Sequence, residues 1–152
     1  MIYRLVLFFI LNFGALAVGS LSTTKAVKGD WYLQLLKAPW TPPGWVFGAA
    51  WSGIMICFSF YMAYAWVSMT NHRLLLMLFI IQWILNVSWN PVFFSLHHTL
   101  FGLGIITSLT ILMIYFFFHF KPDLLIKSIL LLPYIIWLLI ATSLNAYIVL
   151  KN

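Results

Sequence analysis

The sequence predicts an all-α integral membrane protein: one domain, a bundle of five transmembrane helices, with a long structured first loop. Three observations predict it. First, 64% of the 152 residues are hydrophobic and only 7% are charged, whereas a soluble domain carries about 25% charged residues. A chain this small has too little interior to hide so many apolar side chains from water. Second, five apolar stretches lie near residues 3–21, 42–69, 73–94, 100–120 and 122–150. Each approaches or exceeds the about 20 residues that cross roughly 30 Å of hydrocarbon. Third, runs such as Leu74–Ile81 and Ile111–Phe118 are continuously apolar. A membrane β-barrel would alternate in polarity over segments of about ten residues.

The charge pattern excludes other classes. The net charge of +6 comes from eight Lys/Arg against two acids. They are dispersed along the chain, so no basic stripe exists for nucleic acid. The single cysteine, Cys57, excludes a disulfide scaffold and a cysteine-based zinc site. Orientation is not decided by the positive-inside rule. Arg4, Arg73, Lys121 and Lys127 fall on one side, and Lys25, Lys28, Lys37 and Lys151 on the other.

The first span opens with Arg4, Leu5–Leu11 and Ala15-Leu16-Ala17, which resembles a signal peptide with a small-residue cleavage site. The apolar run continues to Leu21, so a retained helix is expected. Residues 23–41 then form a connection long enough to need structure of its own. Asp30 is expected to cap a short helix over Trp31–Leu36, with Lys37 at its C-terminal end. Thr41 is expected as the N-cap of the second span and Pro42 as its first residue. Residues 23–41 read as a semi-rigid lid over a cavity between the helices, against the alternative that Trp31, Trp40, Trp45 and Trp66 are an interfacial aromatic belt.

The second span carries Phe47, Trp51, Met55 and Phe58 on one face. The third carries Gln82, Asn86, Trp89, Asn90 and Phe93 at offsets 4, 7, 8 and 11 from Gln82, one helical stripe. Amides do not face lipid, because an unsatisfied polar group there costs several kcal/mol. Pro91 adds a freed carbonyl and an expected kink. The fourth span, 100–120, shows no comparable stripe. The fifth presents Tyr134, Trp137, Ala141 and Asn145 in one row. At 1.5 Å per residue, Trp51, Asn86 and Ala141 each lie about 12–14 Å below the lid. Aromatic faces and amides from three helices are thus expected around one hollow. The competing reading is that the amides are packing glue between helices.

Several of these residues carry a resemblance. Trp31-Tyr32, the run Lys37-Ala-Pro-Trp-Thr-Pro-Pro-Gly44, Trp51, Gln82…Asn86…Trp89, Phe93-Phe94, and Pro133-Tyr-Ile-Ile-Trp137…Ala141-Thr142…Leu144-Asn145 resemble the tryptophan-rich sensory protein family. That family is also called the translocator protein or peripheral-type benzodiazepine receptor family. The resemblance covers nearly the whole chain. It implies a five-helix bundle, a homodimer, and a pocket closed by the first loop that takes porphyrins or haem-like tetrapyrroles. It implies no separate cofactor, and the bacterial cell membrane is the expected location. By match of motif, Tyr32, Pro42, Trp51, Asn86, Trp89, Trp137 and Ala141 fall where the family lines its pocket. Met55, Gln82, Asn90, Phe93 and Asn145 complete the candidate set from the stripes above.

Two alternatives follow from the same resemblance. One is light- and oxygen-dependent breakdown of protoporphyrin, in which Trp51 and Trp137 are the implicated tryptophans. The other is sterol binding. Here the sequence departs: Leu144-Asn145-Ala146-Tyr147 places the tyrosine one residue late, turning it by about 100°. General acid–base catalysis has little support, since Asp30 and Asp123 both sit at expected helix starts. His97 and His98 lie in a lid-side loop and are weak candidates for haem iron.

Overall fold

The computed structural model describes residues 1–152. Helix α1 spans Ile2–Ala26, five residues beyond the expected end at Leu21. In the added stretch the hydroxyls of Thr23 and Thr24 bond back to the carbonyls of Gly19 and Ser20, at 3.2 and 2.8 Å, so both donors are satisfied within the helix. Helix α2 spans Asp30–Gln34. Its N-cap is Gly29, so Asp30 is the first helical residue and acts on the dipole instead of capping. The helix stops before Leu36 because the Leu36 backbone bonds outward, as described below.

Helix α3 spans Gly44–Ser68, starting two residues later than expected. A residue that precedes proline is driven out of the α region, which bars Pro42 from opening a helix ahead of Pro43. Pro43 is itself extended, with φ −56° and ψ 148°. Thr41 caps nothing there; its hydroxyl donates to the Ala38 carbonyl at 2.7 Å. Helix α4 spans His72–Asn90 and is capped by Asn71, whose side chain accepts from the Leu74 N–H. At Pro91 the ladder changes to a π-turn over Pro91–Ser95, closed by Leu96 N–H donating to the Pro91 carbonyl at 2.9 Å. This is the form that the expected kink takes.

Helix α5 spans Thr99–Leu124 and runs straight through the expected break at Lys121, holding Pro122 in its last turn. The chain reverses at Leu125, where φ is +50°. A 3₁₀ segment, Leu125–Leu131, then leads into α6, Leu132–Lys151. The apolar helical stretch Thr99–Lys151 is therefore 53 residues without interruption. Straight, it would measure about 80 Å, over twice the hydrocarbon thickness. It folds back on itself: Asn145 Nδ2 donates to the Thr99 carbonyl at 2.9 Å, and the Thr110 and Thr142 hydroxyls meet at 3.1 Å. Four apolar stretches thus make five spans.

The spans form a ring in the order α1, α4, α5, α6, α3, back to α1. The loosest seam between ring neighbours lies between α3 and α6. Polar side chains tie the ring internally. Asn12 bonds Ser59 at 2.9 Å, the Trp83 indole bonds the Leu11 carbonyl at 3.0 Å, and the Tyr61 hydroxyl bonds the Phe116 carbonyl at 3.2 Å. Within lipid these bonds spare donors that have no water to turn to.

Candidate ligand site beneath the first loop

The first loop closes one end of the bundle through a few specific contacts. Trp31 stacks on His97 at 4.0 Å and meets the edge of Phe93 at 5.8 Å. Tyr32 packs on Phe94 at 5.5 Å. Lys37 Nζ lies 4.6 Å from the centre of the Tyr32 ring, a cation–π contact. Burial pushes the Tyr32 phenol above its ordinary range. Two latches hold the loop to α6. The Asn152 amide bonds both backbone groups of Leu36, accepting from its N–H at 2.9 Å and donating to its carbonyl at 3.3 Å. The Trp40 indole donates to the Ser143 hydroxyl at 3.1 Å and packs edge-on against Tyr147.

Beneath the loop lies a cavity of about 40 Å³. Tyr32, Trp89, Phe93, Ala141 and Asn145 line it, as do Lys37, Thr41, Phe47, Phe94, Leu144 and Ile148. Trp89 and Phe93 stack at 5.3 Å. The Trp89 indole donates to Asn145 Oδ1 at 3.2 Å, while Asn145 Nδ2 is held by Thr99. Gly102 makes this arrangement possible: a Cβ there would lie 3.2 Å from both Asn145 Oδ1 and Phe93.

The remaining candidates lie elsewhere. Gln82 donates to the Tyr134 hydroxyl at 2.8 Å, and its own Oε1 has no donor. Trp51 meets Tyr134 edge-on at 5.9 Å, and Met55 is fully buried in the core beside this group. None of these residues lines the cavity. Asn86 is 7% exposed and outside the cavity wall. Trp137 is behind Phe47, ring edge to ring at 5.3 Å. Pro42 is half-buried at the mouth of α3. Asn90 turns away from the stripe altogether. Its Oδ1 accepts from Thr23 at 2.7 Å, and its amide lies over Gly19 of α1. The single hollow expected from spacing is thus split: part of the set lines the cavity, Gln82 and Trp51 pack on Tyr134, and Asn90 meets α1.

The residues that sequence reasoning left out have identifiable signals. Leu144 and Ile148 continue the Ala141 row at helical spacing, but as ordinary aliphatics they do not stand out. Phe94 is turned inward with Phe93 because the wide π-turn adds a residue to the circuit, which α-helical offsets miss.

Comparison with known proteins agrees with this architecture. Residues 6–150 match the TspO/MBR family. The tryptophan-rich protein TspO of Archaeoglobus fulgidus is 36% identical over 139 residues, covering 88% of this chain and 87% of that protein. Protein CrtK of Rhodobacter capsulatus is 32% identical, covering 77% and 75%. The human translocator protein is 27% identical, covering 85% and 80%. Bacterial relatives such as the tryptophan-rich sensory protein of Cereibacter sphaeroides accord with a bacterial cell membrane. With a family match over nearly its full length and a five-span bundle closed by its first loop, the chain belongs to the TspO/MBR family of integral membrane proteins.

Proposed function

We propose that this protein is a membrane receptor or carrier for tetrapyrroles, bound beneath the first loop between α3, α4 and α6. One observation carries the reading: stacked and edge-on rings of Trp89, Phe93, Phe94 and Phe47 meet one amide, Asn145, and one cation, Lys37. A porphyrin is a broad π-system with carboxylates at its rim. Aromatic faces suit the macrocycle, and Lys37 suits a carboxylate. The cavity of about 40 Å³ is far below the roughly 300–1,000 Å³ of sites that take drug-sized ligands, so binding requires the loop to swing outward.

The test is a protoporphyrin titration in detergent, in darkness, read by porphyrin fluorescence. Each aromatic contact is worth about 0.5–1.5 kcal/mol beyond area, so Trp89→Ala should weaken binding up to about tenfold. Lys37→Ala should weaken it further for the dicarboxylic porphyrin and spare its dimethyl ester. Unchanged affinity in the double variant rejects the site.

Photo-oxidative breakdown is a second reading, favoured by one contact. Trp137 touches the cavity-lining Phe47, which leaves a single ring between that indole and a bound macrocycle. Illumination in air of the same samples should bleach the porphyrin to a new product, and Trp51→Phe/Trp137→Phe should slow this without changing dark affinity. Equal bleaching by that variant leaves the receptor reading alone. Sterol recognition is not proposed, since Leu144 lines the cavity and Tyr147 packs on Trp40.

A further inference from the structure

The reversal between α5 and α6 lies at the end of the bundle opposite the first loop. Leu124, Ser128 and Leu131 turn inward there, and all three are buried. Leu125, Ile126 and Ile129 turn outward, each more than half exposed. The 3₁₀ segment is thus apolar on the face that it does not pack. Such a face is costly to leave in water and belongs in the interfacial layer of the bilayer.

Two lysines bracket this face, and both are held in place. Lys121 Nζ lies 5.5 Å from the centre of the Phe117 ring, and Lys127 Nζ lies 4.6 Å from that of Tyr64. Both are cation–π contacts. A free lysine gives up rotamer freedom when it grips an anion. One already resting on a ring gives up less, and its ammonium has donors left for a phosphate oxygen. Charge favours an anion as well. This end of the bundle carries Arg4, Arg73, Lys121 and Lys127 against one acid, Asp123. A soluble anion would satisfy the lysines and leave Leu125, Ile126 and Ile129 uncovered. An anion that carries its own hydrocarbon satisfies both.

We infer that the α5–α6 corner is a docking surface for anionic phospholipid. The headgroup phosphate sits on Lys121 and Lys127, and the upper acyl chain lies over Ile126 and Ile129. The inference is independent of the tetrapyrrole reading, because no residue of the corner lines the cavity under the loop.

The test places the protein, with ¹³C-labelled isoleucine methyls, in phosphatidylcholine nanodiscs. Ile126→Val and Ile129→Val assign the two methyls. Trace 5-doxyl phosphatidylglycerol is added in one series and 5-doxyl phosphatidylcholine in the other. A lysine at an anionic surface contributes about fivefold in affinity. Phosphatidylglycerol should therefore half-broaden both methyls at a mole fraction at least about fivefold lower, and added salt should shrink that preference. Lys121→Gln/Lys127→Gln should erase it, while Lys25→Gln/Lys28→Gln, at the loop end, should leave it intact. Equal broadening by the two probes overturns the proposal. So does a preference that survives in Lys121→Gln/Lys127→Gln or falls equally in the loop-end variant. Silence from both probes overturns it too, since water or a second copy would then cover the corner.

Discussion

Gly19 is small because Asn90 lies on it: a Cβ there would come 2.6 Å from Asn90 Nδ2. Gly19→Ala must displace that amide and with it the bond from Thr23. Hydrogen bonds between membrane helices are worth about 0.6 kcal/mol on average and 1.7 at most. Gly19→Ala should therefore lower thermal stability by an amount of that order, and adding Asn90→Ala should cost nothing more. Additive losses, read from the melting of both single variants and the double, would show that Gly19 and Asn90 act separately. This pairing also shows what a helical stripe leaves out. Periodicity correctly turns Gln82, Asn86 and Asn90 away from lipid. It does not say which neighbour each meets, and Asn90, at the edge of the stripe, meets α1. Asn145 was legible as an inward amide, yet its partners Trp89 and Thr99 come from two other elements.

At the scale of elements, the first loop is a short helix and an extended proline segment fastened at two points. Asn152 grips the Leu36 backbone, and Ser143 accepts from Trp40. Each such bond contributes about 0.5–1.5 kcal/mol. Asn152→Ala and Trp40→Phe should each raise amide exchange across residues 30–41 by up to about tenfold and leave exchange in α5 unchanged. Uniform acceleration over the whole chain would instead mean that the variants loosen the bundle. The presence of a structured loop was readable from its length, its prolines and its aromatic residues. Its fastening was not, because Leu36 and Asn152 are 116 residues apart and nothing local marks either one. The boundary at Pro42 was misjudged for a local reason: a good first helical residue loses that role when another proline follows it.

For the whole molecule, the count of five spans follows from apolar length, whereas their ring order comes from contacts between helices that length does not encode. The expected break at Lys121–Pro122 failed because proline and a charge are tolerated in a final turn at the membrane edge, and the real reversal is four residues beyond Lys121. The small volume beneath the loop has a kinetic corollary. If the loop must open before a macrocycle enters, the observed association rate should level off as porphyrin concentration rises, at the opening rate. Asn152→Ala should raise that plateau. A rate that climbs linearly at all accessible concentrations would point to entry by another route, between the helices.

The reversal at Leu125 also bears on how the chain is made. Leu125, Ile126 and Ile129 are 70%, 78% and 56% exposed, so the corner joining α5 to α6 is clothed in greasy side chains where most proteins place a wetted loop. Lys121, Asp123 and Lys127 are exposed at the same corner, so three charges hold it at the aqueous edge while its apolar side chains rest in the interfacial layer. Until α6 is made, the Thr110 and Gly102 faces of α5 lack the Thr142 and Asn145 side chains that they meet in the folded chain.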